Sequence, residues 1–248
     1  MTFAEIMQLK GKEAGLSFTA QQLEQFSAYY ELLVETNKVM NLTAITEPEE
    51  VAVKHMIDSL LAFDEKLFGE KTLADVGTGA GFPGIPLKIY CPSLKVTLID
   101  SLAKRLKFLE TVIIELGLKG IRCVHLRAED AGRDPRHREK YDLVTARAVA
   151  RLSVLAEYCL PLVKTDGSFI ALKGSKYQEE IAAADKALQI LGGRLVSADA
   201  VKLPGLNDGR AIVKIAKIKT TPKAYPRKAG LPADRTVRSV PAGSVERT

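Results

Sequence analysis

Apolar residues follow two different rhythms along this 248-residue chain. In the first 68 residues they recur at helical spacing. Leu23, Phe26, Tyr30 and Leu33 lie three or four apart, and Thr19 with Gln22 three residues later has the form of a capping box that starts the run. A second helix is expected after Thr46-Glu47-Pro48, where a cap residue and an early proline precede the stretch from Val51 to Phe63. From Thr72 onward the pattern becomes short apolar runs at 72–76, 95–99, 121–126, 143–146 and 168–172, with helical stretches between them, notably 103–116 and 154–163. Strands separated by helices need crossover connections, so these runs predict a parallel sheet. After a helix at 179–191, residues 194–202 and 211–218 flank the turn Pro204-Gly205-Leu206-Asn207-Asp208-Gly209 and predict an antiparallel hairpin that closes the sheet. The expected organisation is a helical extension over 1–68, an α/β domain over 69–218 and a tail over 219–248.

Composition narrows the class. Hydrophobic residues make up 46% and charged residues 27%, which suits a folded globular chain and argues against disorder or a fibrous repeat. No window approaches the roughly 18 uncharged apolar residues of a membrane span, and Met1-Thr2-Phe3-Ala4-Glu5 lacks the basic and apolar regions of a secretory signal. A cytoplasmic monomer without membrane contact is expected. Cys91, Cys123 and Cys159 are widely spaced and form no CxxC, so they read as reduced core thiols. Cys123 and His125 share one face of a strand, yet two ligands without a partner cluster do not make a metal site. The formal charge of +6 resides at one end: from Lys217 onward there are eight Lys/Arg against two Asp/Glu, with prolines at 222, 226, 232 and 241. That segment is expected to be an extended basic arm, either a solubilising terminus or a contact to nucleic acid, and dispensable for any small cofactor.

Candidate chemistry concentrates where the first strand ends. It runs directly into residues 75–84, DVGTGAGFPG, in which glycines permit a tight turn and close approach of the backbone to a ligand. The next strand ends in Asp100, 23 residues after Gly77, where a carboxylate suits ribose hydroxyls. Residues 79–84 also satisfy GxGxxG, so the glycines alone leave both a nicotinamide dinucleotide and S-adenosylmethionine open. The Gly77-x-Gly79-x-Gly81 spacing, the terminal hairpin in place of a second βαβαβ half, and the lack of any Tyr-xxx-Lys pair favour S-adenosylmethionine. The chain has no GxxxxGK[ST], which argues against ATP.

Several separated motifs point the same way. Residues 75–87 (DVGTGAGFPGIPL), Asp100-Ser101-Leu102 with Lys104-Arg105, Asn37-Lys38 with Asn41-Leu42-Thr43, His55 with Asp58-Ser59, Ala171-Leu172-Lys173-Gly174, and Tyr225-Pro226-Arg227-Lys228-Ala229-Gly230 together resemble one family over about residues 15–230. It is the bacterial small-subunit (16S) rRNA guanine-N7 methyltransferase G family, also called glucose-inhibited division protein B. The resemblance implies a Rossmann-like class I S-adenosylmethionine methyltransferase sheet acting on 16S rRNA, or on a small-subunit assembly intermediate, near the decoding site. It also implies an effect on streptomycin sensitivity. The cofactor is expected on Gly77, Gly79, Gly81 and Phe82, its ribose on Asp100 and its adenine beside Ala128 and Glu129, with Arg147 bordering both cofactor and reacting base. Asn41, His55, Asp58, Lys173, Arg227 and Lys228 are the expected substrate contacts. Residues 234–248 match nothing in the family.

The chemistry agrees with that resemblance. Guanine N7 carries an in-plane lone pair and needs no deprotonation, so an enzyme for this reaction works by positioning and requires no general base. Where amino-group methyltransferases carry an Asn/Asp-Pro-Pro-aromatic motif, this chain has Thr145-Ala146-Arg147-Ala148. None of the three cysteines is placed as the nucleophile that pyrimidine C5 methylation demands. The planar fork of Arg147 suits a base edge or phosphate, the alternative being a surface ion pair. His55 and Asp58, three apart, share a helical face and form either a cleft pair or a surface pair, while Asn41 alternatively ends its helix. Lys104, Arg105, Lys107, Arg133, Arg136, Arg138 and Lys140 offer a phosphate-contacting rim, interrupted by Asp130, Asp134 and Glu139. Competing readings are a methyltransferase of a small molecule, an NAD-dependent oxidoreductase, and a non-catalytic RNA-binding module that keeps the cofactor fold.

Overall fold

The computed structural model describes residues 1–234 and residue 237. Thr2 and Glu5 form a capping box that starts α1 (Phe3–Glu13), and Thr19 with Gln22 does the same for α2 (Ala20–Met40). α1 adds a helix to the two that periodicity marks. α2 stops at Asn41, whose left-handed backbone (φ 43°) turns the chain, and α3 (Pro48–Val51) then runs through a π turn (Ala52–Ile57) into α4 (Asp58–Leu60).

Seven strands form one sheet. β1 (Thr72–Val76), β2 (Lys95–Asp100), β3 (Ile121–His125), β4 (Tyr141–Arg147) and β5 (Val163–Lys173) pair in parallel. The hairpin of β6 (Gly193–Val201) and β7 (Arg210–Lys217) joins antiparallel, in the order β3-β2-β1-β4-β5-β7-β6. Connecting the strands are α5 (Gly84–Tyr90), α6 (Ala103–Glu115), α7 (Ala128–Arg133), α8 (Leu152–Cys159) and α9 (Tyr177–Leu191). α8 begins two residues before the predicted apolar run and ends about a turn before its close, because Pro161 lies in a 3-10 turn and Val163 already belongs to β5.

The two-residue period of the strands splits the core into two layers. Leu73, Leu143, Ile170 and Ile212 face Phe26, Tyr29 and Met56 of the helical extension, together with Leu109 of α6. Ala74, Val144, Phe169 and Val213 face Leu155 of α8 and Leu188 of α9. The extension is therefore one wall of the sheet's core. Tyr29, fully buried, reaches through that layer and its hydroxyl donates to the carbonyl of Ala80 in the turn after β1.

The tail departs from the expected extended arm. Residues 219–231 fold back over α7 and α8, ending in a short helix, α10 (Leu231–Asp234), and both Tyr225 and Pro226 are buried. Prolines remove backbone donors from this segment, and arginines satisfy the carbonyls that remain. Arg138 donates to the carbonyls of Thr221 and Tyr225 at 2.7 and 2.8 Å, and Arg133 to that of Pro226 at 2.9 Å. Arg133 and Arg138 thus hold the tail, and Arg136 pairs with Asp134, one of the acids that interrupt the expected rim. Lys217 is fully buried at the end of β7, donating to the Val163 carbonyl at 3.1 Å and to Glu139 at 3.2 Å, and burial pushes its ammonium down to about 8. Most of the unmatched stretch 234–248 lies outside the described residues; Val237, which is described, packs into the α8–α9 core. Among the described residues, no helix is long and apolar enough to cross a membrane.

Removing the Tyr29 hydroxyl leaves the Ala80 carbonyl buried without its partner. Tyr29→Phe should therefore lower unfolding free energy by about 1–3 kcal/mol. Urea titration with an unchanged denaturant slope is the measurement, and a midpoint equal to that of the parent protein would contradict this anchoring role.

Candidate active site

Strand order reverses between β1 and β4, and a cleft of about 660 Å³ opens at the carboxyl ends of these strands, where α/β sheets bind ligands. Beyond Val76 the chain continues the ladder for one step: Gly77 and Thr78 both donate to the carbonyl of Ile99, at 2.9 and 3.2 Å. Gly81 and Phe82 then donate to the carbonyl of Thr78 and lead into α5. Gly79 has φ 60° and lies open, an added Cβ meeting nothing closer than 4.0 Å. Its backbone is therefore presented to the cleft. Gly81 is the opposite case: a Cβ there would sit 2.6 Å from the Tyr29 hydroxyl and 2.8 Å from Leu109, so this glycine packs the turn against the helical extension.

Two carboxylates shape the turn. Asp75 is buried beneath it and accepts from the Thr78 hydroxyl at 2.6 Å and the Gly84 N–H at 2.9 Å, with the Thr145 hydroxyl at 3.5 Å. Burial pushes its carboxyl up to about 6, against the pull of those donors and of Arg147. Asp100 borders the cleft and braces the same turn, accepting from Gly79 N–H and Leu102 N–H, each at 2.9 Å, with the Arg105 guanidinium 3.7 Å away.

The opposite rim is a stacked cluster. The ring of His55 lies on Phe82 with centroids 4.6 Å apart, and the guanidinium of Arg147 sits 5.0 Å from the centre of the same Phe82 ring. Arg147 donates to Asp58 at 2.7 Å and to the Lys54 carbonyl at 2.9 Å, while Arg210 approaches the other oxygen of Asp58 at 3.2 Å. His55 comes from the π turn, a geometry that recurs at functional sites, and its Nε2 hydrogen-bonds the Thr43 hydroxyl at 2.8 Å. Burial and the neighbouring Arg147 charge push its imidazole down to about 4, so it is neutral at physiological pH.

Of the expected site residues, Gly77, Gly79, Phe82, Asp100, Ala128, Glu129, His55 and Arg147 line this one cleft, and Gly81 supports it from behind. Five others do not line it. Asn41 is the exposed end of α2, and Asp58 is buried by its two arginines. The Lys173 side chain is 8% exposed, donates to the Ala150 carbonyl at 3.0 Å and pairs with Glu180 at 2.6 Å. Arg227 forks the carboxylate of Glu157, and Lys228 is exposed. Thr43, Arg105, Tyr158 and Gly230 line the cleft without having been singled out for it, and Asp75 and Arg210 support it from outside. Asp75 carries a legible signal, an acid closing the first strand directly ahead of the glycines. Arg210 carries none, since β7 and the helical extension meet only in the folded chain.

Among the described residues, no group of three or more His, Cys, Asp or Glu is placed to hold a metal ion. Cys91 and Cys159 are buried and Cys123 is half-buried. Burial raises the Cys123 thiol to about 11 and Cys159 well above its ordinary value, so neither is a thiolate at neutral pH.

Comparison with known proteins adds identity to this geometry. A family model described as GidB, rRNA small subunit methyltransferase G, matches residues 22–207. Proteins named ribosomal RNA small subunit methyltransferase G from Lactobacillus johnsonii and Pelotomaculum thermopropionicum are 53% and 51% identical to the chain. They cover 88% and 94% of it, and 92% and 98% of their own lengths are matched. Among solved structures, a SAM dependent methyltransferase from Aquifex aeolicus superposes with a TM-score of 0.53 at 17% identity, covering 71% of this chain and 96% of that one. M. jannaschii TYW2 in complex with AdoMet superposes with a TM-score of 0.50 at 17% identity, covering 65% and 75%. At such identity these likenesses show the fold.

His55 makes stability depend on pH. Its folded pKa of about 4 lies below the usual value near 6.5, so between those values the unfolded chain binds more protons. The contribution is complete above pH 6.5 and disappears as the pH falls through 4, amounting to up to about 3 kcal/mol. Asp75, raised to about 6 from 3.8, acts in the opposite direction over part of that range, so the two slopes oppose each other in the parent protein. His55→Asn should flatten the loss of stability between pH 7 and pH 4.5 relative to the parent, read by urea unfolding at both values. Parallel pH curves for the two proteins would contradict the burial of a neutral imidazole here.

Proposed function

Because the chain belongs to the GidB family of rRNA small subunit methyltransferases G, we propose that it transfers a methyl group from S-adenosyl-L-methionine to N7 of a guanine in 16S rRNA. The observation that carries this reading is the cleft itself: an open glycine turn at Gly79, acids at Asp100 and Glu129, and a rigid cation at Arg147 line one space. The donor set fits the cofactor. Asp100 retains lone pairs beyond its two backbone bonds, which suits ribose hydroxyls, and the carboxylate of Glu129 suits the exocyclic amine of adenine.

S-adenosylmethionine, when bound, supplies a methyl group activated on a sulfonium. The chain's own residues position and exclude water. Asp58 and the Lys54 carbonyl fix the Arg147 guanidinium, and Phe82 lies beneath it, so the cation meets a base edge or phosphate with little freedom left to lose. His55 is neutral and tied to Thr43, and no proton has to leave guanine N7 before attack. A base is therefore not required, and the protonated thiols supply no nucleophile.

We assign RNA contact to exposed groups: Asn41, Lys228, Lys104, Lys107 and Lys140, along with the His55 edge of the cleft. Asp58, Lys173 and Arg227 act on the protein itself, since each is held in an ion pair and, unlike Arg147, none lines the cleft.

Two measurements test this function. Calorimetry should show S-adenosylhomocysteine binding and no NAD binding, and Asp100→Ala should weaken that binding at least tenfold, given that hydrogen bonds to a charged group contribute roughly 1.5–3 kcal/mol each. Affinity within twofold of the parent would overturn the ribose assignment. Small-subunit rRNA from a strain lacking this protein should lack one 7-methylguanosine by nucleoside mass spectrometry, and the purified protein should restore it. An unchanged nucleoside profile would overturn the substrate assignment.

A further inference from the structure

The segment after β7 does more than cover the back of the domain. Gly230 lines the cleft, and its N–H donates to Glu129 Oε1 at 3.0 Å. Glu129 is 6% exposed, so this bond fixes one of the two acids expected to read the cofactor. Three residues earlier, Arg227 is locked to the fully buried carboxylate of Glu157 on α8: its side chain donates at 2.9 and 2.6 Å to the two oxygens, and its backbone N–H donates to Oε1 at 2.7 Å. Tyr158, next to Glu157, is itself part of the cleft wall. Packing at two glycines is equally restrictive. A Cβ on Gly132 would sit 2.8 Å from the Pro226 ring, and one on Gly192 would sit 2.2 Å from the Lys219 carbonyl.

We propose that residues 219–231 form a wall of the cofactor cleft, in which Arg227 is a positioning residue: anchored on Glu157, it places the Gly230 N–H on Glu129 and so sets affinity for the adenine end. The inference rests on the S-adenosylmethionine reading above. It changes the expected role of the tail, whose removal was to weaken RNA binding and spare the cofactor. A carboxylate held from one side by Gly230 accepts from an adenine amine and repels a carbonyl in the same position, so the wall also enforces the choice of base. If the strap is released, Glu129 loses a fixed partner and the cleft loses a side.

The test uses the full chain and two nucleosides, S-adenosylhomocysteine and its inosine analogue, in which a carbonyl replaces the exocyclic amine. The parent should prefer the adenosyl form at least tenfold. Arg227→Ala should weaken S-adenosylhomocysteine at least tenfold and narrow that preference, with Arg227→Lys in between because it keeps the charge and loses the fork. Gly132→Ala, which displaces Pro226 without touching a charge, should do the same and guards against misfolding from an unpaired Glu157. Affinity and preference must fall together; if either stays at the parent value in both variants, or the parent shows no preference, the proposal is wrong. On the parent protein, saturating S-adenosylhomocysteine should slow tryptic cleavage after Arg227 and Lys228 at least tenfold, and an unchanged rate would equally overturn it. A parent that binds no S-adenosylhomocysteine would refute the cofactor reading instead.

Discussion

Asp75 lies buried on β1, and donors from three places converge on it: the Thr78 hydroxyl, the Gly84 N–H at the start of α5, and the Thr145 hydroxyl on the neighbouring strand β4. A carboxylate removed from water is costly unless hydrogen bonds replace its hydration. The turn that follows must therefore close in the one way that delivers those donors. That closure presents Gly79 to the cleft, places its N–H on Asp100, and sets Phe82 at the opposite rim. Space beneath the turn is equally restricted: a Cβ on Gly84 would lie 2.8 Å from Asp75 Oδ2, and one on Gly81 would strike Tyr29. The backbone reaches the ligand space because the carboxylate behind it has no better arrangement.

The second rim depends on a different use of buried charge. Arg147 at the end of β4, Asp58 in the extension and Arg210 on β7 come together from three distant parts of the chain. Breaking such a pair leaves an uncompensated charge in a poorly solvated place, which costs far more than a surface ion pair gains. The helical extension is thereby held in register with the sheet at the edge of the cleft. Burial, with the same cation adding to it, depresses the basicity of His55, so the side chain that fixes the geometry also helps keep its neighbour unprotonated.

The fold was legible where local physics decides it. Capping boxes, strand runs and the hairpin turn carry their own signals, and the sheet appears with the parallel and antiparallel parts that those signals require. The glycine turn and Asp100 were legible because backbone conformation and spacing there leave few alternatives. Arg147 was visible as a candidate, but its locking partners were not, since Asp58 and Arg210 reach it through tertiary packing. α1 carries signals of the same kind, a Thr2–Glu5 capping box and Phe3, Ile6 and Met7 at helical spacing.

The tail shows how composition misleads when charge is counted without partners. Its prolines and lysines argue for a solvated arm, yet a proline-rich segment also presents a row of free carbonyls, and arginines elsewhere in the chain are suitable donors for them. Arg133 and Arg138 meet that need, so part of their donor capacity is spent on the chain's own carbonyls. Lys217 and Arg227, counted among the tail's positive charges, are likewise occupied, one with buried carbonyls and Glu139, the other with Glu157. The part of the basic segment that packs is bound to its own domain, at the point where that domain's cleft would otherwise lie open beside Glu129. Net charge places the segment near an anion in the abstract; hydrogen-bond accounting places it against Glu129 at the edge of the cleft.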